Sequence, residues 1–375
     1  MRSGWYDRTE MSSCNRAMIV VYITAHGLGH ATRTLEVLKQ VRLHDPGLPI
    51  KVVSRLPEWL LDSRLPGVEQ REFSLDVGLV QRDAVEPDLP ATESQLRVLL
   101  DKLDGLLEGE ARWLTTEGAT LVLADIPGIP LEAAAKAGIT SVALGNFGWD
   151  WIYQGLGEEP VWQEASARFS QAYGCADVLL RYPLSEPMTA FPRIEQVGLV
   201  SQPGGPRRAE LAKRFGADPG KLWLLFVFNS LQFSSLGLRR LESLGGCQLF
   251  TTGQLNWEGV ANAISVPPSQ VGFSDLLASV DGVVSKPGFG VVSDCLANDK
   301  PLLYVERENF REYDLLKREM EESMACFHLP LRDLYEGRLE NAVKALRQGL
   351  SRGAKRISHG SGPDIAARIL ELHRS

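Results

Sequence analysis

The segment Thr24-Ala-His-Gly-Leu-Gly-His-Ala-Thr-Arg33 gathers two histidines, two glycines and an arginine where an apolar run gives way to a helical pattern. Histidine exchanges protons near neutral pH, so His26 and His30 are candidate acid–base groups, with His30 the preferred general base. Gly27 and Gly29 permit close backbone approach, a helix start offers unpaired N–H groups to an anion, and Arg33 adds a fixed charge. A glycine-rich turn with a capping histidine is the plainer reading. The density of polar chemistry in so few residues favours a phosphate or sugar site instead.

A second segment of the same kind is Val283-Val-Ser-Lys-Pro-Gly-Phe-Gly-Val-Val-Ser-Asp294. Ser285, Gly288 and Gly290, with Phe289 between the glycines, can turn backbone donors towards a diphosphate, and Lys286 supplies charge. Asp294, one turn into the helix, can accept hydrogen bonds from ribose hydroxyls. Weaker candidates also follow apolar runs. Asp125 could take a proton or orient His30, or simply cap a helix. Asn229 and Ser230 could donate to phosphate, or form an ordinary turn. Within Asn146-Phe-Gly-Trp-Asp-Trp-Ile-Tyr153, packing of the aromatic rings is favoured over a sugar platform, with Asn146 and Asp150 as the polar contacts.

The elements that must position these residues read as alternating strands and helices. Met18–Thr24 is an apolar run followed by a helix with Leu35, Leu38 and Val41 on one face. Strand candidates at 50–54, 120–124, 140–144 and 177–181 continue the pattern, with a clear helix over 94–114. Ser201-Gln-Pro-Gly-Gly-Pro206 excludes helix and central strand, so it reads as a linker. Beyond it the alternation restarts at 222–228, 247–252, 281–285 and 301–305. The expectation is α/β: a disordered leader over 1–17, one doubly wound Rossmann-like domain over 18–200, another over 207–360, and a helix over 361–375 that could cross back to the first domain. The loops beyond the carboxyl ends of the strands are where a ligand should lie, in the cleft between domains.

At 375 residues the chain is long enough for two such cores, and its 44% apolar and 23% charged content is that of a folded protein. A net charge of −7 argues against a nucleic-acid surface. Five scattered cysteines without a C-x-x-C pair indicate neither disulfide framework nor zinc site. No apolar run reaches the ~20 residues that span a bilayer, which leaves peripheral membrane contact open and favours a cytoplasmic location. There is no D-x-D metal handle and no G-x-x-x-x-G-K-[ST] phosphate loop, and G-L-G-H lacks the third glycine of a dinucleotide fingerprint. No metal or cofactor is expected.

His26-Gly-Leu-Gly-His-Ala-Thr-Arg33, Leu75-Asp-Val-Gly-Leu-Val-Gln81 with Asp83, the 146–153 aromatic stretch and Lys286–Asp294 resemble the glycosyltransferase-like amino-terminal region of plant L-arabinokinase, over most of 18–370. Nothing corresponds to that protein's kinase domain, so kinase activity is not carried over. More distantly, both glycine loops resemble those of glycosyltransferase family 28. That resemblance implies a GT-B fold, two Rossmann-like domains facing across a cleft. It places Ser285, Gly288 and Asp294 at diphosphate and ribose, Thr252 and Gly253 near the sugar-phosphate, Phe273 near the base and Glu312 near the donor hexose. The expected activity is metal-independent transfer from a nucleotide-sugar, first choice a UDP-sugar, to an unidentified acceptor. A non-catalytic nucleotide-sugar sensor and a UDP-sugar 2-epimerase are the alternatives.

Overall fold

The computed structural model describes residues 17–24, 26, 28–81, 87–228, 231, 233–252, 255, 257, 259–307 and 311–375. Residues 1–16 of the expected leader, Asp83, and the site candidates Gly27, Asn229, Ser230 and Gly253 lie outside the described residues. Among the described residues the strands form two wholly parallel sheets. The first has the order β3-β2-β1-β4-β5-β6-β7, from β1 (Met18–Ile23), β2 (Ile50–Val53), β3 (Glu69–Arg71), β4 (Ala119–Asp125), β5 (Thr140–Gly145), β6 (Val178–Arg181) and β7 (Ile194–Gln196). The second has the order β10-β9-β8-β11-β12-β13, from β8 (Leu222–Val227), β9 (Cys247–Thr251), β10 (Ala263–Ser265), β11 (Gly282–Ser285), β12 (Leu302–Tyr304) and β13 (Cys326–His328).

Central strands of a parallel sheet are covered on both faces, which is why β1 reads as an unbroken apolar run rather than an alternating one. Val20 and Tyr22 enter one layer of core, and Ile19, Val21 and Ile23 the other. In β8, Trp223 and Leu225 face one layer while Leu224 and Phe226 face its opposite. Helix α1 (Leu28–His44) sends Leu35, Leu38 and Val41 into the layer holding Ile19 and Val21. Helix α3 (Leu89–Glu117) covers the other face with Leu96, Leu103, Leu107 and Leu114. It begins ahead of the 94–114 periodicity because Asp88 accepts the Ala91 N–H at 3.0 Å and Pro90 suits a first turn.

The last helix, α14 (Gly362–Arg374), packs Ile365, Ala366, Ile369 and Leu370 into the same layer as α1. Each buried Ile or Leu there contributes about 1.5–3 kcal/mol, and Arg368 adds a paired contact to Glu195 of β7 at 2.8 and 2.9 Å. The C-terminus is thus fastened to the first sheet, although the second sheet precedes it in sequence. No helix among the described residues is long and apolar enough to cross a membrane.

Strand order reverses beside β1 and β4 in the first sheet and beside β8 and β11 in the second. Those switch points are where α/β sheets bind ligands. Helix α1 starts just after β1, and α10 (Phe289–Ala297) just after β11. The two helix starts confront each other: a methyl placed on Gly290 would lie 3.8 Å from Gly29 Cα. Phe147, beyond β5, stacks on Phe289 with ring centroids 6.1 Å apart.

Candidate functional site

Strand β4 ends in Asp125, β5 is followed by Asn146, and the first turns of α1 hold His30 and Arg33. The i, i+3 spacing puts His30 and Arg33 on one helix face, and that face looks at Asp125. Asp125 is 0% exposed, so its charge must be matched by partners. Arg33 donates Nε to Oδ2 at 3.0 Å and Nη2 to Oδ1 at 2.6 Å. Thr34 donates its hydroxyl to Oδ2, and His30 Nδ1 stands 3.1 Å from Oδ1. Arg33 also donates Nη1 to Asn146 Oδ1 at 2.9 Å and lies over the Tyr182 ring, 4.8 Å from its centroid. Burial alone would raise the Asp125 carboxyl, but Arg33 and His30 hold it well below the ordinary range.

The His30 imidazole is pushed below its ordinary value, first by burial and then by Arg33, against the pull of Asp125. It is therefore neutral at physiological pH. Its Nδ1 has an acceptor, Asp125 Oδ1, at 3.1 Å and a donor, Arg33 Nη2, at 2.8 Å. With Nδ1–H turned to Asp125, Arg33 Nη2 is held by Asp125 Oδ1 at 2.6 Å and Nε2 keeps a lone pair for use as a base. With Nδ1 accepting from Arg33, the proton sits on Nε2 and the ring is not a base.

The second domain closes over this cluster. Burial pushes the Glu312 carboxyl up to about 7, against the charges of Arg307 and Arg33. Glu312 Oε1 and Asn146 Nδ2 are both buried with no hydrogen-bond partner among the described residues. Two orphaned polar atoms on opposite walls of one cleft are what a polar ligand would satisfy. Arg311, the residue before Glu312, reaches the first domain. It lies over the Trp151 ring at 4.5 Å and donates to the Trp151 carbonyl and to Gln154 Oε1, the latter at 3.3 Å. A methyl on Gly155 would meet Arg311 Cδ at 2.5 Å, so the contact needs glycine there.

Glu312 gives a pH prediction. Its folded value of about 7 lies above the ordinary 4.5, so between those pH values the folded chain keeps a proton that the unfolded chain has lost. Stability from this group therefore falls as pH rises through that window. Glu312→Gln is expected to stabilise the chain at pH 8, by on the order of 1–3 kcal/mol, and to leave it nearly unchanged at pH 4. Urea unfolding of both proteins at the two pH values checks this; an equal difference at both rejects it.

The remaining candidates are placed as follows. The Ser285 hydroxyl is spent on the Val227 carbonyl at 2.8 Å, leaving only its backbone for a ligand. Gly288 caps α10 in extended conformation, and Lys286 acts on His26 electrostatically from the same loop. Thr252 follows β9, and Phe273 opens α9 (Phe273–Ser279) with its ring against the second core. The Asp294 carboxyl is raised by burial to about 6 and takes a hydrogen bond from Ser201, with Arg64 also acting on it. That carboxylate is thus engaged by the linker. Asp150, raised by burial, accepts the Trp151 N–H and faces the charge of Arg311. Phe147, Trp149 and Tyr153 are buried in the first core, while Trp151 is half-buried beneath Arg311.

Tyr182, Arg307 and Arg311 stand at this cleft, and sequence reasoning passed them over. Arg307 and Arg311 follow a predicted strand at 301–305, so the strand-end rule could have flagged them; Tyr182 likewise follows β6. Among the described residues no group of three His, Cys, Asp or Glu side chains is disposed to hold a metal ion.

No family model matches the chain. It is 29% identical to L-arabinokinase of Arabidopsis thaliana over 96% of its own length, and spans 35% of the length of that protein. Among solved structures, the kitacinnamycin glycotransferase superposes with a TM-score of 0.60 at 16% identity, covering 95% of this chain and 94% of that one. The calicheamicin glycosyltransferase gives 0.59 at 17% identity, covering 96% and 94%. A transferase from Siraitia grosvenorii in complex with UDP gives 0.55 at 13%, covering 96% and 100%. Two parallel α/β sheets that meet at their switch points, superposed almost end to end on glycosyltransferases, give this chain the GT-B fold.

Proposed function

We propose that this chain is a metal-independent glycosyltransferase that takes a nucleotide-sugar, first choice a UDP-sugar, in the second domain and an acceptor hydroxyl in the first. The observation that carries the reading is the convergence of two helix starts, α1 and α10, on one cleft. Each contributes a positive dipole end, and Lys286 and Arg307 act on the same space, so a diphosphate can meet fixed positive charge in place of a divalent ion. The reaction then needs a base. Neutral His30, its Nδ1–H on Asp125, takes the acceptor proton on Nε2 as the acceptor oxygen bonds to the sugar carbon and the diphosphate departs with the electron pair of the broken C–O bond. The fold of the UDP-bound Siraitia protein is consistent with a uridine donor.

A second reading, a nucleotide-sugar sensor, is favoured by one feature: Arg33 already grips Asp125 with two bonds, as a purely structural pair would. Thermal shift across UDP-, GDP-, ADP- and dTDP-sugars, followed by turnover with acceptor extracts, separates the two. A transferase is stabilised by one donor family and consumes it. Stabilisation without consumption selects the sensor, and no stabilisation by any of them overturns both.

A further inference from the structure

We infer that His26 is a permanent Nε2–H donor to the diphosphate, with its tautomer locked by the segment 75–79. The role rests on the reading of the cleft as a nucleotide-sugar site; the lock itself does not.

His26 and His30 are four residues apart, yet their surroundings differ in kind. Gly78 has φ +68°, and a Cβ there would meet His26 Nδ1 at 2.8 Å, so the Nδ1 edge of the ring lies flat against this backbone. The next amide, Leu79 N–H, donates to Nδ1 at 3.4 Å. A ring nitrogen that accepts a hydrogen bond carries no proton, so the proton of the neutral ring sits on Nε2. The segment that imposes this is itself pinned. Trp149 Nε1 donates to Asp76 Oδ2 at 3.0 Å, Ser74 donates to Asp76 Oδ1 at 2.9 Å, and Tyr153 donates its hydroxyl to the Gly78 carbonyl at 3.2 Å. Trp149 also meets the His26 ring edge-on at 5.2 Å, fixing its plane.

Nε2 has no hydrogen-bond partner among the described residues, and the fixed charges that act on the ring come from across the cleft, from Arg307 and Lys286. Burial first, then the neighbouring His30 ring and those two cations, hold the imidazole down at about 3, so no proton joins Nδ1 in the physiological range. A histidine so placed does not serve as a base. It offers one N–H, alongside two cations, to whatever anion enters. This gives the Leu75-Asp-Val-Gly-Leu79 stretch a task, and Gly78 a reason to be glycine.

The test uses the full chain. Nitrogen-15 NMR of the ligand-free protein is expected to show His26 with an unprotonated Nδ1 and a protonated Nε2, unchanged from pH 5 to 8. A protonated Nδ1, or titration in that range, overturns the lock. For the donor role, affinity for UDP and for inorganic pyrophosphate is compared across variants. His26→Ala is expected to weaken UDP about ten- to a hundred-fold. His26→Gln, whose amide nitrogen falls near the place of Nε2, is expected to recover most of it, and His26→Asn, whose amide falls near Nδ1, is not. Equal affinities for Ala and Gln variants overturn the role. If the unaltered protein binds neither probe while the spectrum shows Nε2–H, the cleft is not a diphosphate site, and the donor role falls with it while the lock stands.

Discussion

Arg33→Met is expected to cost about 3–5 kcal/mol of folding stability, because it leaves Asp125 charged, 0% exposed and without its bidentate partner. Thr34 and His30 remain on the carboxylate, and neither carries a positive charge at neutral pH. The pH dependence identifies the cause. The Asp125 value is depressed in the folded chain, so its contribution is present above the ordinary 3.8 and is lost as pH falls below it. The deficit of the variant should therefore be largest at alkaline pH and shrink as pH falls, beginning above the ordinary 3.8, because burial without Arg33 raises the carboxyl and Asp125 then takes up a proton. Adding Asp125→Leu to Arg33→Met should restore much of the loss, since an apolar residue has no charge to strand. Urea unfolding measures all three. A loss for Arg33→Met that is constant with pH, or unrelieved by the second change, would place the effect elsewhere.

His30→Ala is expected to lower turnover on an identified donor and acceptor by about a hundred- to ten-thousand-fold while leaving donor affinity close to its original value. The group it removes contacts Asp125 and edges onto Phe147 at 5.6 Å, so a stability loss of about 1–3 kcal/mol is expected beside the loss of turnover. In the unaltered protein a base at this place must be unprotonated, and the His30 value lies below the ordinary 6.5; the proposed rate should therefore be flat near neutrality and fall only on the acid side. Turnover within a few-fold of the original would remove His30 from the chemistry.

Much of this arrangement was legible in the sequence because parallel sheets buried on both faces write their strands as apolar runs. The runs at Met18, Thr120, Thr140, Leu222 and Val283 each became a central strand within a residue or two of its expected limits. The strands at 69–71, 194–196, 263–265 and 326–328 left no such mark. They are three residues long, lie at or beside the sheet margins, and carry partly exposed polar side chains such as Glu69, Glu195 and His328. Within the site, the His30, Arg33 and Asp125 cluster could be anticipated from strand ends and helical spacing. The engagement of Asp294 by Ser201 could not, because it joins a helix to a linker by a contact distant in sequence. Nor could the opposite fates of two histidines four residues apart, which depend on a loop some fifty residues away.

Arg311 and Glu312 are consecutive, and one is seated on the first domain while the other is buried within reach of the charge of Arg33. A single helical turn thus joins the fit between the lobes to the position of a buried carboxyl in the cleft. For a ligand this makes occupancy depend on what share of molecules has the lobes together: apparent affinity is the intrinsic affinity scaled by that share. Sequence change at the seat, far from any ligand atom, can then tune binding strength without altering the pocket lining.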